Sequence, residues 1–321
     1  MEPLAALAPT AVTAGGRRIV LAMPGNEATA VGLVTRLGAD RGRAEVKHFP
    51  DGESFVRLLT PVTDADVVIV CTLDRPDDKV LSLLWLAIAA REGGARRVGL
   101  VAPYLAYMRQ DAVFQAGEIR AAQHFAALLS GHFDWVVTVD PHLHRIPTLS
   151  EIFRVPAVAV QAAPALAAWV RAQVPHPFLV GPDEESRQWV EQVAALCDVP
   201  WTVLSKVRRG AWSVDVSAVA AGQGAGRTPV LIDDIISTGR TLIAAAWQLQ
   251  RAGLPRPYCV AVHAVFAGSA YNELRSAAQD VVTADSIAHP SNCIALAQPL
   301  ADAIAPLFDL PLTDATTRLD R

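Results

Sequence analysis

Two adjacent carboxylates and the small polar segment after them are the clearest candidates for chemistry in this chain of 321 residues. Asp233 and Asp234 follow the apolar run at 230–232, and the segment Ser-Thr-Gly-Arg-Thr occupies positions 237–241. Small residues that open a helix let backbone N–H groups approach an anion, and the helix dipole favours negative charge there. Carboxylates where a parallel strand ends suit the hydroxyl groups of a sugar. These residues therefore predict a sugar-phosphate site.

Other charged segments are ambiguous when only their residue types are considered. The segment F-P-D-G-E at 49–53 has the composition of a solvated turn, and Arg109 lies in a polar loop. His142 comes just beyond a predicted strand, where most histidines are structural. Lys206 and Arg208 belong to a short basic cluster, and a basic loop usually faces solvent. None of these segments indicates a function without further information.

Short β-rich runs alternate with helical patterns, which is typical of a parallel α/β architecture. Strands are predicted at 18–23, 67–71, 98–102, 135–139, 178–180, 201–204, 230–232 and 258–265, and helices at 26–37, 78–92, 118–129, 184–195 and 241–252. The pattern starts again after a proline-punctuated segment, which predicts two halves joined near residue 155. Residues 1–16 are predicted to be a loosely ordered leader.

Composition excludes several classes of protein. The net charge of −4 provides no global basic field for nucleic acid. The longest dense apolar stretch, at 80–90, is about half the roughly 20 residues that a membrane span needs. The four cysteines form no CxxC pair, so metal clusters and disulfide scaffolds have no support. We expect a cytoplasmic protein that binds neither nucleic acid nor membranes, and that lacks the P-loop and the G-x-G-x-x-G turn.

The segment at 230–242 resembles the binding motif for 5-phosphoribosyl 1-pyrophosphate (PRPP) that phosphoribosyltransferases and ribose-phosphate pyrophosphokinases share. The N-terminal half resembles the second family specifically, because it contains F-P-D-G-E at 49–53 and P-Y-L-A-Y-M-R-Q-D at 103–111. V-D-P-H at 139–142 and K-V-R at 206–208 also match that family. The resemblance runs in order from about Arg18 to about Leu307.

The resemblance implies a role for each matching position. It assigns ribose 5-phosphate binding to Asp183, Asp233, Asp234, Ser237, Thr238, Gly239 and Thr241, and ATP binding to Phe49, Asp51, Glu53, Arg109, Gln110, Asp111 and His142. It assigns the stabilisation of the transferring phosphates to Lys206 and Arg208. The implied cofactor is Mg²⁺, bound in part by His142 and Asp183 and mostly by water and substrate oxygens.

The implied fold is two tandem phosphoribosyltransferase-like domains at 17–155 and 156–321, each a mostly parallel sheet flanked by helices. The implied reaction transfers the β,γ-diphosphoryl group of ATP to the 1-hydroxyl of ribose 5-phosphate, giving PRPP and AMP. The F-x-D-G-E segment of this family helps to form the ATP site across a subunit contact. A dimer-based homo-oligomer, with tetramer or hexamer as larger possibilities, is therefore expected.

Two alternatives stay open at this stage. A phosphoribosyltransferase that consumes PRPP would also carry the 230–242 motif, although it has no obvious use for F-x-D-G-E or R-Q-D. A non-catalytic subunit is suggested by one departure, because Glu184 and Glu185 stand where the family usually has small glycines. Extra carboxylates repel a phosphate unless a metal ion or Arg187 offsets them.

Overall fold

Two parallel sheets form the framework of the chain. The computed structural model describes residues 16–143, 145–204, 222 and 224–311. The strands of the first sheet are β1 (Arg18–Ala22), β2 (Asp40–Arg41), β5 (Asp66–Val70), β6 (Arg97–Ala102), β7 (Trp135–Val139) and β8 (Ala157–Val160). Those of the second are β9 (Pro177–Gly181), β10 (Trp201–Val203), β11 (Thr228–Ile236), β12 (Tyr258–Ala264), β13 (Asp280–Ala284) and β14 (Asn292–Ile294).

Helices connect the strands of each sheet. They are α1 (Glu27–Leu37), α2 (Pro76–Glu92), α3 (Ala121–Ser130), α4 (Ala163–Gln173), α5 (Arg187–Cys197), α6 (Arg240–Arg251), α7 (Ala270–Ala277) and α8 (Ala297–Ile304). Short 3₁₀ turns cover Leu149–Glu151, Glu184–Ser186 and Ala305–Asp309. Within the described residues, none of the helices is both long and apolar enough to cross a membrane.

The two sheets have the same topology. The first has the order β2-β1-β5-β6-β7-β8 and the second the order β10-β9-β11-β12-β13-β14. When each sheet's strands are numbered by their own chain order, both orders become 2-1-3-4-5-6. All neighbouring strands within the two sheets are parallel, so their carboxyl ends meet at one edge. The repeated order supports two domains of one ancestral type.

A continuous apolar core joins the two sheets. One buried cluster contains Val20, Val137 and Val160 from the first sheet together with Val230 and Val260 from the second. Helix α8 follows the second sheet in the chain but packs against α1 and β7 of the first. This crossing of the C-terminal helix holds the two halves as one packed body.

An antiparallel hairpin stands apart from both sheets. It consists of β3 (Ala44–His48) and β4 (Ser54–Leu58), and it packs against α2 through β4. The F-P-D-G-E segment forms its tip, where Gly52 has a φ of +93°. Sequence patterns did not predict this hairpin, because its strands are only five residues long and Glu45, Lys47 and Arg57 interrupt their apolar residues.

The structure confirms the α/β class, but one domain boundary and one strand end differ from the predicted ones. Strand β8 lies beyond the predicted domain boundary at 155/156 but pairs with β7, so the first sheet continues to Val160. Strand β11 extends to Ile236, so the two aspartates lie within the strand and not after it. Residues 1–15 of the predicted leader, and both Lys206 and Arg208, lie outside the described residues.

Candidate active site

A polar cavity of about 140 Å³ lies at the carboxyl edge of the second sheet. Its walls contain Asp183 after β9, Asp233 and Asp234 in β11, and the segment 237–241. Arg109 and His142 from the first half of the chain complete the lining. The structure therefore brings together residues that the sequence assigned to two different substrates.

The segment 237–241 links β11 to α6, as the sequence predicted. Gly239 immediately precedes the helix and has a φ of +68°, a conformation that glycine adopts without steric cost. The segment is anchored from one side, because the backbone N–H of Ala267 donates to the carbonyl of Ser237 at 3.0 Å. Backbone N–H groups at the start of a helix are suited to bind a phosphate.

The paired aspartates have opposite electrostatic environments. Burial and the neighbouring Asp234 carboxylate raise the pKa of Asp233 well above its ordinary value. Burial also opposes ionisation of Asp234, but the His142 imidazole more than offsets it, and the pKa of Asp234 is lowered. His142 Nδ1 lies 2.9 Å from Asp234 Oδ2. The two carboxyl groups of the pair therefore differ in acidity, and Asp234 ionises more readily than Asp233.

Buried polar contacts position His142 on the second sheet. His263 in β12 is 3% exposed and its Nε2 lies 3.2 Å from the carbonyl oxygen of Asp140, two residues before His142. His263 Nδ1 lies 2.8 Å from Ser286 Oγ, and Thr72 Oγ1 of the first half donates to the Ser286 carbonyl at 2.7 Å. These contacts connect the two halves of the chain through buried polar groups.

Asp183 begins a tight turn at the end of β9. Its side chain accepts a hydrogen bond of 3.1 Å from the backbone N–H of Glu185, while Ser186 Oγ donates to its carbonyl at 2.6 Å. Ser186 is fully buried, and its hydroxyl lies where a side chain at Gly181 would clash. Glu185 also lines the cavity, whereas Glu184 does not. Of the two glutamates that stand where the family usually has small glycines, Glu185 is therefore the one that borders the cavity.

The R-Q-D segment is divided between different surroundings. Arg109 lines the cavity, and Gln110 is exposed. The Asp111 carboxylate is buried and accepts from Arg145 through both the guanidinium, at 3.0 Å, and the backbone N–H, at 3.2 Å. The structure thus gives Asp111 a positioning contact, while its contact with ATP stays a prediction.

The hairpin tip lies outside the cavity lining. Phe49 is 45% exposed, and both Asp51 and Glu53 are exposed. The turn itself is fixed, because the backbone N–H of Glu53 donates to Asp51 Oδ1 at 3.1 Å. These three side chains do not join the other predicted site residues within one chain.

The carboxylates of the cavity fit a magnesium ion that is held mainly by its substrate. Within the described part of the chain, no three His, Cys, Asp or Glu side chains form a cage for a metal ion. Magnesium commonly uses one or two protein carboxylates and completes its shell with water and phosphate oxygens. The Asp183 carboxylate has the oxygen atoms that such a site would use, whereas the His142 nitrogen is a less preferred donor for this ion.

Comparison with known proteins agrees with this arrangement. Residues 18–131 match the model for the N-terminal domain of ribose phosphate pyrophosphokinase, and residues 149–296 match the phosphoribosyl transferase domain. The ribose-phosphate pyrophosphokinase of Methanopyrus kandleri is 35% identical over 276 residues, which are 85% of this chain and 93% of the relative. The chain belongs to the ribose-phosphate pyrophosphokinase family.

Further family members support the match over the whole length. The enzyme of that name from Halobacterium salinarum is 32% identical over 288 residues, covering 89% of this chain and 100% of the relative. The phosphoribosylpyrophosphate synthetase structure from Mycobacterium smegmatis has a TM-score of 0.79 at 24% identity. The match covers 91% of this chain and 99% of the Mycobacterium smegmatis chain, which confirms the fold of two phosphoribosyltransferase-like domains.

Sequence reasoning missed several residues around the site. Arg240 lines the cavity, although the sequence assigned no role to it. His263 and Ser286 gave no local signal, because their importance depends on contacts with residues far away in the chain. Tyr104, whose ring packs edge-on against His263 at 5.0 Å, belongs to the P-Y-x-x-Y segment and could have been noticed there.

Proposed function

We propose that the chain catalyses the transfer of the β,γ-diphosphoryl group of ATP to the 1-hydroxyl of ribose 5-phosphate. The observation that carries this proposal is the shared cavity. The segment at 237–241, which would bind a phosphate, and the aspartates come from one domain, while Arg109 and His142 come from the other. A simple phosphoribosyltransferase site would not need residues from a second domain, so the geometry favours a reaction with two phosphorylated substrates.

The sugar phosphate would occupy the part of the cavity formed by the second sheet. Backbone N–H groups and hydroxyls at 237–241 would hold the 5-phosphate at the start of α6. The carboxyl groups of Asp233 and Asp234 would form hydrogen bonds with the ribose hydroxyls. Because His142 Nδ1 lies 2.9 Å from Asp234 Oδ2, the orientation of the ribose would depend on a contact between the two halves of the chain.

Transfer then requires mainly positioning and neutralisation of charge. The 1-hydroxyl oxygen would form a bond to the β-phosphorus, and its proton would pass to solvent water. The bond from the β-phosphorus to the oxygen that bridges it to the α-phosphorus breaks, and AMP leaves with that oxygen. Arg109 would pair with phosphate oxygens, and Lys206 and Arg208 would add positive charge. Magnesium, when bound, would neutralise the phosphates, with Asp183 as an oxygen ligand and His142 as the predicted second ligand.

The exposed hairpin tip suggests how the ATP site is completed. Phe49, Asp51 and Glu53 have no role in the cavity of their own chain, but a neighbouring subunit would find them accessible. We therefore include a homo-oligomer, built from dimers, in the proposal. A cytoplasmic location, where ATP and sugar phosphates are available, also belongs to it.

Phosphorus NMR of the purified protein with ATP, ribose 5-phosphate and magnesium tests the proposal. We expect PRPP and AMP to appear together, in equal amounts and only when magnesium is present. Unchanged ATP would contradict the proposal. Adding PRPP with a set of nucleobases to the same sample would then reveal a transferase, through release of pyrophosphate.

A further inference from the structure

Two neighbouring glutamates have different surroundings at the edge of the cavity. The Glu184 carboxylate accepts two hydrogen bonds from the Arg187 guanidinium, and this contact lowers the pKa of Glu184. The same guanidinium lies over the ring of Trp201, with its carbon 5.7 Å from the ring centre. Glu185 lines the cavity and has no ion-pair partner among the described residues. Arg187 therefore offsets only one of the two extra carboxylates.

The position of Glu185 is fixed by its turn. Its backbone N–H donates to Asp183 Oδ1, and the next residue, Ser186, is buried and bonded to the Asp183 carbonyl. The 3₁₀ turn at Glu184–Ser186 leads directly into α5. These contacts hold the backbone of Glu185 beside the cavity, and its exposed side chain extends from that fixed point.

The other charged residues of the cavity determine how Glu185 affects the binding of an anion. Asp183 and Asp234 already place carboxylates in the wall, and Arg109 and Arg240 are the guanidinium groups that face them. A phosphate group that enters this space brings about two further negative charges at neutral pH. Glu185 is exposed at the edge of the cavity and adds another negative charge beside this space, where like charges repel and salt screens the repulsion.

We propose that Glu185 weakens, by charge repulsion, the binding of free phosphate-bearing ligands such as ribose 5-phosphate in this cavity. This inference rests on the proposed function in one respect, namely that the natural ligand is ribose 5-phosphate. Removal of this charge increases affinity, which is the opposite of what removal of a ligand-binding residue does. The sign of the effect therefore separates repulsion from recognition.

Calorimetry of Glu185→Gln with ribose 5-phosphate, in buffer that contains EDTA, tests this inference. We expect the variant to bind roughly three- to tenfold more tightly than the wild type at about 20 mM salt, and the difference to shrink at about 500 mM. The matched control is Glu184→Gln, which removes the adjacent carboxylate outside the cavity and should retain wild-type affinity. A salt-independent gain would contradict an effect of charge.

Equal or weaker binding by Glu185→Gln would overturn the inference, because it would mean that the carboxylate is neutral toward the ligand or contacts it. Inorganic phosphate serves as a second probe in the same titrations, and it should show the same order of affinities. If only phosphate binds, and NMR detects no PRPP, the proposed function fails while the charge effect is still measured. The two proposals are thus tested separately.

Discussion

His263 shows how one buried side chain makes the protein sensitive to pH. Burial lowers the pKa of His263 to about 4, although its contact with the Asp140 carbonyl acts in the opposite direction. The neutral imidazole donates from Nε2 to that carbonyl. An unfolded chain binds the proton near pH 6.5, so the folded state loses stability as the pH falls from that value toward 4.

Replacement of His263 by Gln should remove this dependence. Glutamine retains a donor toward Asp140 but does not take up a proton. We expect the free energy of unfolding of wild type to fall between pH 7 and pH 5 by about 2 kcal/mol more than that of His263→Gln. Urea denaturation at both pH values measures the difference. The exposed His48→Gln should behave like the wild type, and a parallel fall in all three proteins would contradict this role of His263.

At the scale of the element, the connection between β11 and α6 forms the proposed phosphate site. The strand continues through both aspartates to Ile236, and the helix begins at Arg240, so only three residues form the turn. Gly239 makes this short connection possible through its positive φ. A Cβ there would find no atom closer than 3.7 Å, so a substitution is opposed by backbone strain and not by a clash.

Gly239→Ala should therefore affect both stability and substrate binding. The left-handed conformation costs alanine roughly 1 kcal/mol, and relief of that strain would displace the N–H groups that face the phosphate. We expect the KM for ribose 5-phosphate to rise several-fold, measured by AMP formation. Gly253→Ala is the control, since Gly253 has a φ of +85° with open space around it and lies at the other end of α6. It should lower stability similarly and leave the KM unchanged; a raised KM in both variants would indicate a general loss of structure.

At the scale of the whole molecule, the exposed hairpin tip predicts an active site shared between subunits. Glu53 is exposed at the tip, whereas Arg109 lies in the cavity. If one subunit contributes Glu53 to the site that contains its partner's Arg109, a mixed dimer of two different variants regains one intact site. The two residues can therefore be tested by complementation.

Glu53→Ala and Arg109→Ala should each be nearly inactive alone. After subunit exchange in an equal mixture, roughly a quarter of all sites become wild type, so about a quarter of the wild-type activity should return. A mixture of either variant with itself is the control. No recovery, with exchange verified by mass spectrometry, would mean that the two residues act within one chain.

The sequence by itself determined the fold class and predicted most of the residues that line the cavity. Alternating apolar runs and helical patterns depend on local periodicity, so the parallel strands at 135–139 and 258–264 were predicted nearly to their ends. The segment at 237–241 could also be identified from the sequence, because its small polar residues are consecutive and lie where a strand gives way to a helix.

Only the tertiary structure decided which residues meet. His142 and Asp234 are 92 positions apart, and His263 reaches Asp140 across 123 positions, so no local pattern contains either contact. Glu184 and Glu185 are chemically identical neighbours, yet one pairs with Arg187 and the other faces the cavity. Their difference arises from the direction of each side chain in a folded turn. Periodicity specifies elements, but the packing of the two sheets specifies the distances and charges on which the chemistry depends.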